Sequence, residues 1–326
     1  MRTFGRFLGR MLLLVGLLLG GLWFFGPRET VTLVPEFDTA AIGPDVDAYL
    51  AAREAGYSGL TPGVEKRVVW AGTTGEATDQ AIVYVHGFSA TSEEIRPVPD
   101  LVAAELGANL VYTRLAGHGL GGAALAEARA SEWMSDVAEA IAVAHKIGND
   151  VIIIATSTGA TLVAEAALQP EMMQGVAGII LVSPNFAIAD PASVVLTLPA
   201  ARFWVPTVAG QTRSWEPGNE GHATYWTHSY PTQALFQMAA LVKHARGQDY
   251  GAVTIPALFR FSDADQVVDH RATRAVVDAW GGPVTVQAVQ MTEGDDPSSH
   301  VIAGDIMSPG QTQDAVTAFV NWINAL

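Results

Sequence analysis

Ser157 lies within Ala155-Thr156-Ser157-Thr158-Gly159, directly after the apolar run Val151-Ile152-Ile153-Ile154. A β-branched run of that kind reads as a buried parallel strand. A serine set among small residues at its end reads as the sharp strand-to-helix turn called a nucleophile elbow. Such a turn lifts one hydroxyl above a sheet, where a base and an oxyanion site can reach it. The pattern departs from G-x-S-x-G at one position, Ala155 standing for the first glycine. Alanine is the smallest such change, so the turn is expected to survive.

Serine is a weak nucleophile at its own pKa and needs an adjacent base, which in turn needs an orienting group. Of eight histidines, His300 is the candidate base, because it falls in Asp296-Pro297-Ser298-Ser299-His300-Val301, a loop after the last expected strand. His86 and His118 belong to other motifs and are read as structural, holding loops through hydrogen bonds. For the acid, the strand Ala257–Phe261 runs into Ser262-Asp263-Ala264-Asp265-Gln266-Val267-Val268. Either aspartate could reach the base. Asp265 is preferred because Val267-Val268 would anchor its loop against the core; Asp263 is the alternative, an acidic turn residue that favours local backbone hydrogen bonds. The chain order is serine, acid, histidine.

The elements around these residues alternate. Strands are expected at Val64–Ala71, Ala81–Val85, Asn109–Thr113, Val151–Ala155, Val176–Val182, Ala257–Phe261 and Val284–Val289. Helical patterns cover Ser92–Leu106, Ala123–Ile147, Ala160–Leu168, Tyr230–Lys243 and Thr312–Ile323. Strands separated by helices imply βαβ units, hence an α/β protein with a mostly parallel central sheet covered on both faces. Residues 185–250, before the penultimate strand, are far longer than an ordinary crossover and read as a lid or cap insertion. Its aromatic residues, among them Phe203, Trp204, Trp215, Trp226 and Tyr230, suit either a small core of its own or an apolar cover over a pocket.

Together these features resemble an α/β-hydrolase, close to the bacterial carboxylesterases and monoacylglycerol lipases. The likeness rests on His86-Gly87-Phe88, Arg114-Leu115-Ala116-Gly117-His118-Gly119, the Ser157 elbow, Asp265-Gln266-Val267-Val268 and Ser299-His300, which span roughly residues 80–305. It implies Ser157 as nucleophile, His300 as base and Asp265 as orienting acid. It also implies an oxyanion hole from the backbone N–H groups of Phe88 and Thr158, and neither cofactor nor metal. The expected reaction is cleavage of a carboxylic ester, apolar or lipid-like, through an acyl-enzyme. A serine peptidase or amidase on the same fold is the nearest alternative, with Asp190, Glu216 and Glu220 as the acidic residues available in the lid. A non-catalytic binding protein is the alternative from another class. Haloalkane or epoxide chemistry would need an aspartate at the elbow.

Composition narrows partners and compartment. The 326 residues are 49% hydrophobic, enough for one large core over residues 62–326. A formal net charge of −15 disfavours nucleic acid. With no cysteine, disulfides, thiolate nucleophiles and Cys-ligated zinc are excluded. Gly117–Gly122 lacks the lysine of a phosphate-binding loop. Residues 1–26 stand apart: Arg2, Arg6 and Arg10 precede an uncharged stretch, Met11–Gly26, which as a helix spans roughly 24 Å. No alanine occurs between Gly20 and Asp38 to mark an A-x-A cleavage site. An uncleaved signal anchor is therefore favoured over a cleaved signal peptide or a buried helix. Residues 27–61 form a spacer with one short helix. The basic N-terminal flank puts the N-terminus in the cytoplasm and the catalytic domain on the extracytoplasmic side, the periplasm in a Gram-negative host. A chain starting at Glu29 is expected to leave the membrane fraction for the soluble one; equal partitioning with the full chain would remove the anchor.

Overall fold

The computed structural model describes residues 2–326. The chain opens with α1 (Arg2–Phe25) and, after an extended stretch, α2 (Val46–Glu54). There follow β1 (Arg67–Val69), β2 (Thr78–Val85), α3 (Val98–Leu106), β3 (Asn109–Tyr112), α4 (Gly121–Glu127), α5 (Ala130–Ile147), β4 (Gly148–Thr156), α6 (Ser157–Ala166) and β5 (Val176–Val182). An excursion through α7 (Ala201–Ala209), β6 (Thr212–Ser214), α8 (Glu220–Tyr225), β7 (Ser229–Pro231) and α9 (Ala234–Ala245) leads to β8 (Ala257–Phe261). The chain finishes with α10 (His270–Ala279), β9 (Val284–Ala288) and α11 (Thr312–Ile323).

Seven strands form one sheet in the order β1-β3-β2-β4-β5-β8-β9, parallel except for the edge strand β1. Side chains alternate across it. Val83, Val85, Ile153 and Leu181 face a core shared with α5 and α6, while Ile82, Tyr84, Ile152, Ile154 and Val182 face α3 and α11. Cover on both faces is why Val151–Ala155 is apolar at every position and fully buried. From β2 the chain moves outward to β3, then returns to place β4 on β2's other side. The C-terminal ends of β2 and β4 thus flank the reversal of winding, where a crevice opens in such sheets.

The structure refines several expected elements. Helix does not begin at Ser92 but at Val98, after Pro97; a proline biases the residue before it away from helical geometry. The region Ala123–Ile147 is two helices, because Arg129 is extended (φ −121°, ψ 151°) and serves as the N-cap of α5. Leu33, Ile42, Val46 and Leu50, expected in a spacer, are buried in the main core.

Behind the sheet's carboxyl end, Lys66 is buried between two carboxylates, Asp136 at 2.5 Å and Glu139. Asp136 also accepts the Ala116 N–H at 2.7 Å, and Arg114 pairs with Glu54 through Nε and Nη2 at 2.7 and 3.0 Å. These contacts fix the loop 114–119 from α5 on one side and α2 on the other.

Helix α1 carries a 22-residue apolar segment, Phe4–Phe25, of mean hydropathy 2.0, none of it buried in the protein. Its C-terminal exit is clamped to the excursion. Ala200 N–H donates to Pro27 O, Arg28 to Thr197 O, and Glu29 pairs with Arg202 and accepts from Gln237.

Replacing Lys66 by methionine leaves Asp136 buried without its cation and Glu139 with only the half-exposed Arg53. The expected cost is about 3–5 kcal/mol of folding stability, read from denaturant unfolding; an unchanged midpoint would contradict the role given to this pair.

Candidate active site

Ser157 is the first residue of α6 and takes φ 52°, a left-handed conformation for a side-chain-bearing residue. Two residues on, an added Cβ at Gly159 would sit 2.4 Å from His86 O and 2.6 Å from Val85 O. Only glycine lets α6 start this close to the end of β2. Ala155, one strand position before Thr156, is wholly buried and accommodated. The N-terminus of α6 leaves first-turn N–H groups, Thr158 among them, without an acceptor inside the helix, and its dipole favours negative charge there.

The structure brings Ser157, His300 and Asp265 into one line. His300 Nε2 lies 3.0 Å from Ser157 Oγ, and His300 Nδ1 lies 2.8 Å from Asp265 Oδ2. The other oxygen of Asp265 accepts the N–H groups of Val267 and Val268 at 2.8 and 2.9 Å. The valine pair therefore acts through its backbone as well as through burial of Val268. Asp263 is not in this line: its carboxylate is about half exposed and pairs with Arg274 at 2.7 Å.

Burial disfavours a charge on His300. The negative charge and hydrogen bond of Asp265, with Glu94 and Asp296 behind them, outweigh it and raise the imidazole above its ordinary 6.5. With Nδ1–H held by a carboxylate, Nε2 is the free acceptor for a hydroxyl proton.

Two further histidines organise the neighbouring loops. Leu115 N–H donates to His86 Nε2 at 3.1 Å, so Nδ1 carries the proton and donates to Gly87 O at 2.9 Å. Full burial, with His118 and Arg114 adding to it, keeps His86 neutral. Gly87 C=O and Phe88 N–H belong to one planar trans peptide, so a carbonyl held by His86 turns the Phe88 N–H the opposite way. His118 Nδ1 donates to the Leu115 and Ala116 carbonyls, at 3.2 and 3.1 Å. An added Cβ at Gly87 would lie 3.0 Å from Ser157 Cβ, so the β2 loop abuts the serine.

The excursion contributes an apolar wall. Tyr230 meets Phe88 edge-on at 5.6 Å and Trp215 meets Tyr230 at the same distance, over buried Leu125. Trp226 and Phe236 are buried, whereas Phe203 is 72% exposed. A separate cleft, lined by Thr61, Thr91, Gly119 and Tyr225–Ser229, contains none of the three aligned residues.

The sequence pattern of the serine aminopeptidase, S33 family matches residues 76–289. The chain belongs to this family of α/β-hydrolases. Among solved structures, this hydrolase is similar to one from the metagenome-derived lipolytic enzymes LipS and LipT, with 19% identity and a TM-score of 0.66 over 82% of this chain and 100% of that one. It is also similar to the Paleococcus ferrophilus monoacylglycerol lipase (15% identity, TM-score 0.58, 79% and 98% covered). A third is a soluble variant of the Saccharomyces cerevisiae monoglyceride lipase in complex with a substrate analog (9%, 0.60, 83% and 97%). No curated protein sequence matches the chain. Neighbours at such low identity establish the fold of this hydrolase, not its substrate.

Sequence reasoning passed over two groups that the hydrolase places beside the aligned residues. Asp296 accepts the N–H groups of His300 and Val301 at 3.0 and 2.8 Å, holding the histidine's backbone. Its signal was present, an aspartate opening a loop of small residues. The second is Glu94, whose carboxylate contributes to the raised pKa of His300. A general base must be unprotonated, so if His300 has that role its raised pKa predicts a kcat/KM that falls on an acid limb centred above pH 6.5. A limb centred below that value would contradict the assignment.

Proposed function

We propose that this hydrolase cleaves carboxylic esters of apolar, lipid-like acyl groups by way of a Ser157 acyl-enzyme, next to a membrane. The observation that carries the reading is His300 bridging Ser157 Oγ and Asp265. Ser157 Oγ attacks the acyl carbonyl as its proton passes to His300 Nε2. Asp265 stabilises the imidazolium without taking the proton. The tetrahedral oxygen is held by the N–H groups of Phe88 and Thr158, donors typically worth about 3–4 kcal/mol each in the transition state. His300 then protonates the departing alcohol. Water, deprotonated by the same nitrogen, attacks the acyl carbonyl, releases the acid and restores Ser157.

Ester is favoured over free-amine peptide because the lid carboxylates Asp190, Glu216 and Glu220 are all exposed, none turned inward to receive an ammonium. The wall of Phe88, Tyr230 and Trp215 supports an apolar acyl group. The clamp between Pro27–Glu29 and residues 197–202 supports delivery from a bilayer: if α1 spans it, the excursion rests at its surface.

A series of p-nitrophenyl esters from acetyl to decanoyl, set against an aminoacyl anilide, tests this. The expected result is a kcat/KM that climbs with acyl length and a loss of roughly 10⁴-fold or more in Ser157→Ala. Faster cleavage of the anilide would favour the peptidase reading; hydrolysis unaffected by Ser157→Ala would overturn both.

A further inference from the structure

Glu94 is a buried carboxyl next to the reacting groups that has no part in the mechanism above. Only 2% exposed, it sits in the loop between β2 and α3 and turns back into the site. Its Oε2 accepts the Gly87 N–H at 2.6 Å and the Tyr84 hydroxyl at 3.1 Å. Tyr84 Oη lies 3.2 Å from Thr156 Oγ1, the side chain immediately before Ser157. Glu94 Oε1 and Ser157 Cβ lie 2.7 and 3.0 Å from the point where a Cβ on Gly87 would stand. One carboxyl thus reaches both strand ends: β2, whose loop carries Phe88, and β4, which delivers Ser157 and Thr158.

We propose that Glu94 is a positioning residue for acyl transfer, setting through Gly87 and Tyr84–Thr156 the spacing of the two oxyanion donors while its charge faces His300. The inference rests on the Ser157 hydrolase reading and deepens it. A bond to Gly87 N–H constrains the peptide just before the one that His86 orients, so the Phe88 N–H is fixed from both sides. Displacement of such a donor by an ångström costs on the order of 10²-fold in rate.

The electrostatic part has a definite sign. The groups whose charge or hydrogen bond acts on Glu94 are the Gly87 amide, His300 and Tyr84; those acting on His300 are Asp265, Glu94 and Asp296. Burial raises Glu94 to about 7 even though the Gly87 bond, the His300 charge and the Tyr84 hydroxyl pull the other way. The charge on each therefore depends on the charge of the other: ionised Glu94 raises His300, and protonated His300 lowers Glu94. An ionised Glu94 favours the protonated form of His300, so removing that charge moves the acid limb of activity to lower pH.

The test is the pH profile of kcat and kcat/KM for the native protein, Glu94→Gln and Tyr84→Phe, on the ester that the native protein hydrolyses best. Glu94→Gln is expected to lower kcat by about 10-fold to 10²-fold with KM little changed, and to move the acid limb down by roughly half a unit to one unit. Tyr84→Phe, which removes a hydroxyl and no charge, is expected to lower kcat by several-fold and to move the limb less than Glu94→Gln does. Native kcat and limb in Glu94→Gln would overturn the proposal, as would native kcat in Tyr84→Phe should Glu94→Gln fail to fold. A native protein that hydrolyses no ester and does not react with a fluorophosphonate would instead defeat the reading beneath it.

Discussion

Ser157 at φ 52° is a conformation that a side-chain-bearing residue keeps only when its surroundings over-determine it. Three sets of contacts do so here. Before it, β4 is locked between β2 and β5 with every side chain from Val151 to Ala155 buried. After it, Gly159 lets α6 press against the carbonyls of Val85 and His86. Above it, Asn185 N–H donates to Ser157 O at 3.2 Å, tying the turn to the chain that leaves β5. The strained hydroxyl is thus held where His300 Nε2 meets it.

The rest of the site is arranged around that point by polar groups taken out of water and held by named partners. Asp265 and Asp296 hold His300, one at the ring and one at the backbone. His86 holds Gly87 O and is itself held by Leu115 N–H. The loop bearing Leu115 depends on Asp136 and through it on Lys66, so a buried ion pair behind the sheet supports the loop that fixes His86. Unpaired, any of these groups would cost more than its partner contributes, and that asymmetry gives the site one geometry.

What was legible in the sequence was whatever is decided locally. Val151–Ile154 reads as a doubly covered strand because continuous β-branched residues have no exposed face to offer. The small residues around Ser157 read as a turn, and the Val267-Val268 pair favoured Asp265 over Asp263; it is the Asp265 carboxylate that lies against His300 Nδ1, its other oxygen held by the two valine N–H groups. Pro97 carried the signal that helix could not start at Ser92. The break at Arg129, by contrast, has neither glycine nor proline, and tertiary packing sets it. Glu94 was invisible for a similar reason. It adjoins Glu93, which pairs at the surface with Arg67 and Arg96. Nothing local says which of two adjacent glutamates turns inward; its partners, the Tyr84 hydroxyl and the Gly87 N–H, are near in the chain, and only the folded course of the β2 loop points Glu94 at them.

The central claim is that Ser157 is the activated nucleophile. Intact-mass analysis after a fluorophosphonate, with peptide mapping of the adduct, tests it most directly. The account predicts a single phosphonyl adduct on Ser157 that is absent in Ser157→Ala of unchanged thermal stability. A folded native protein that takes up no phosphonyl group, or takes it up on another residue, would contradict it.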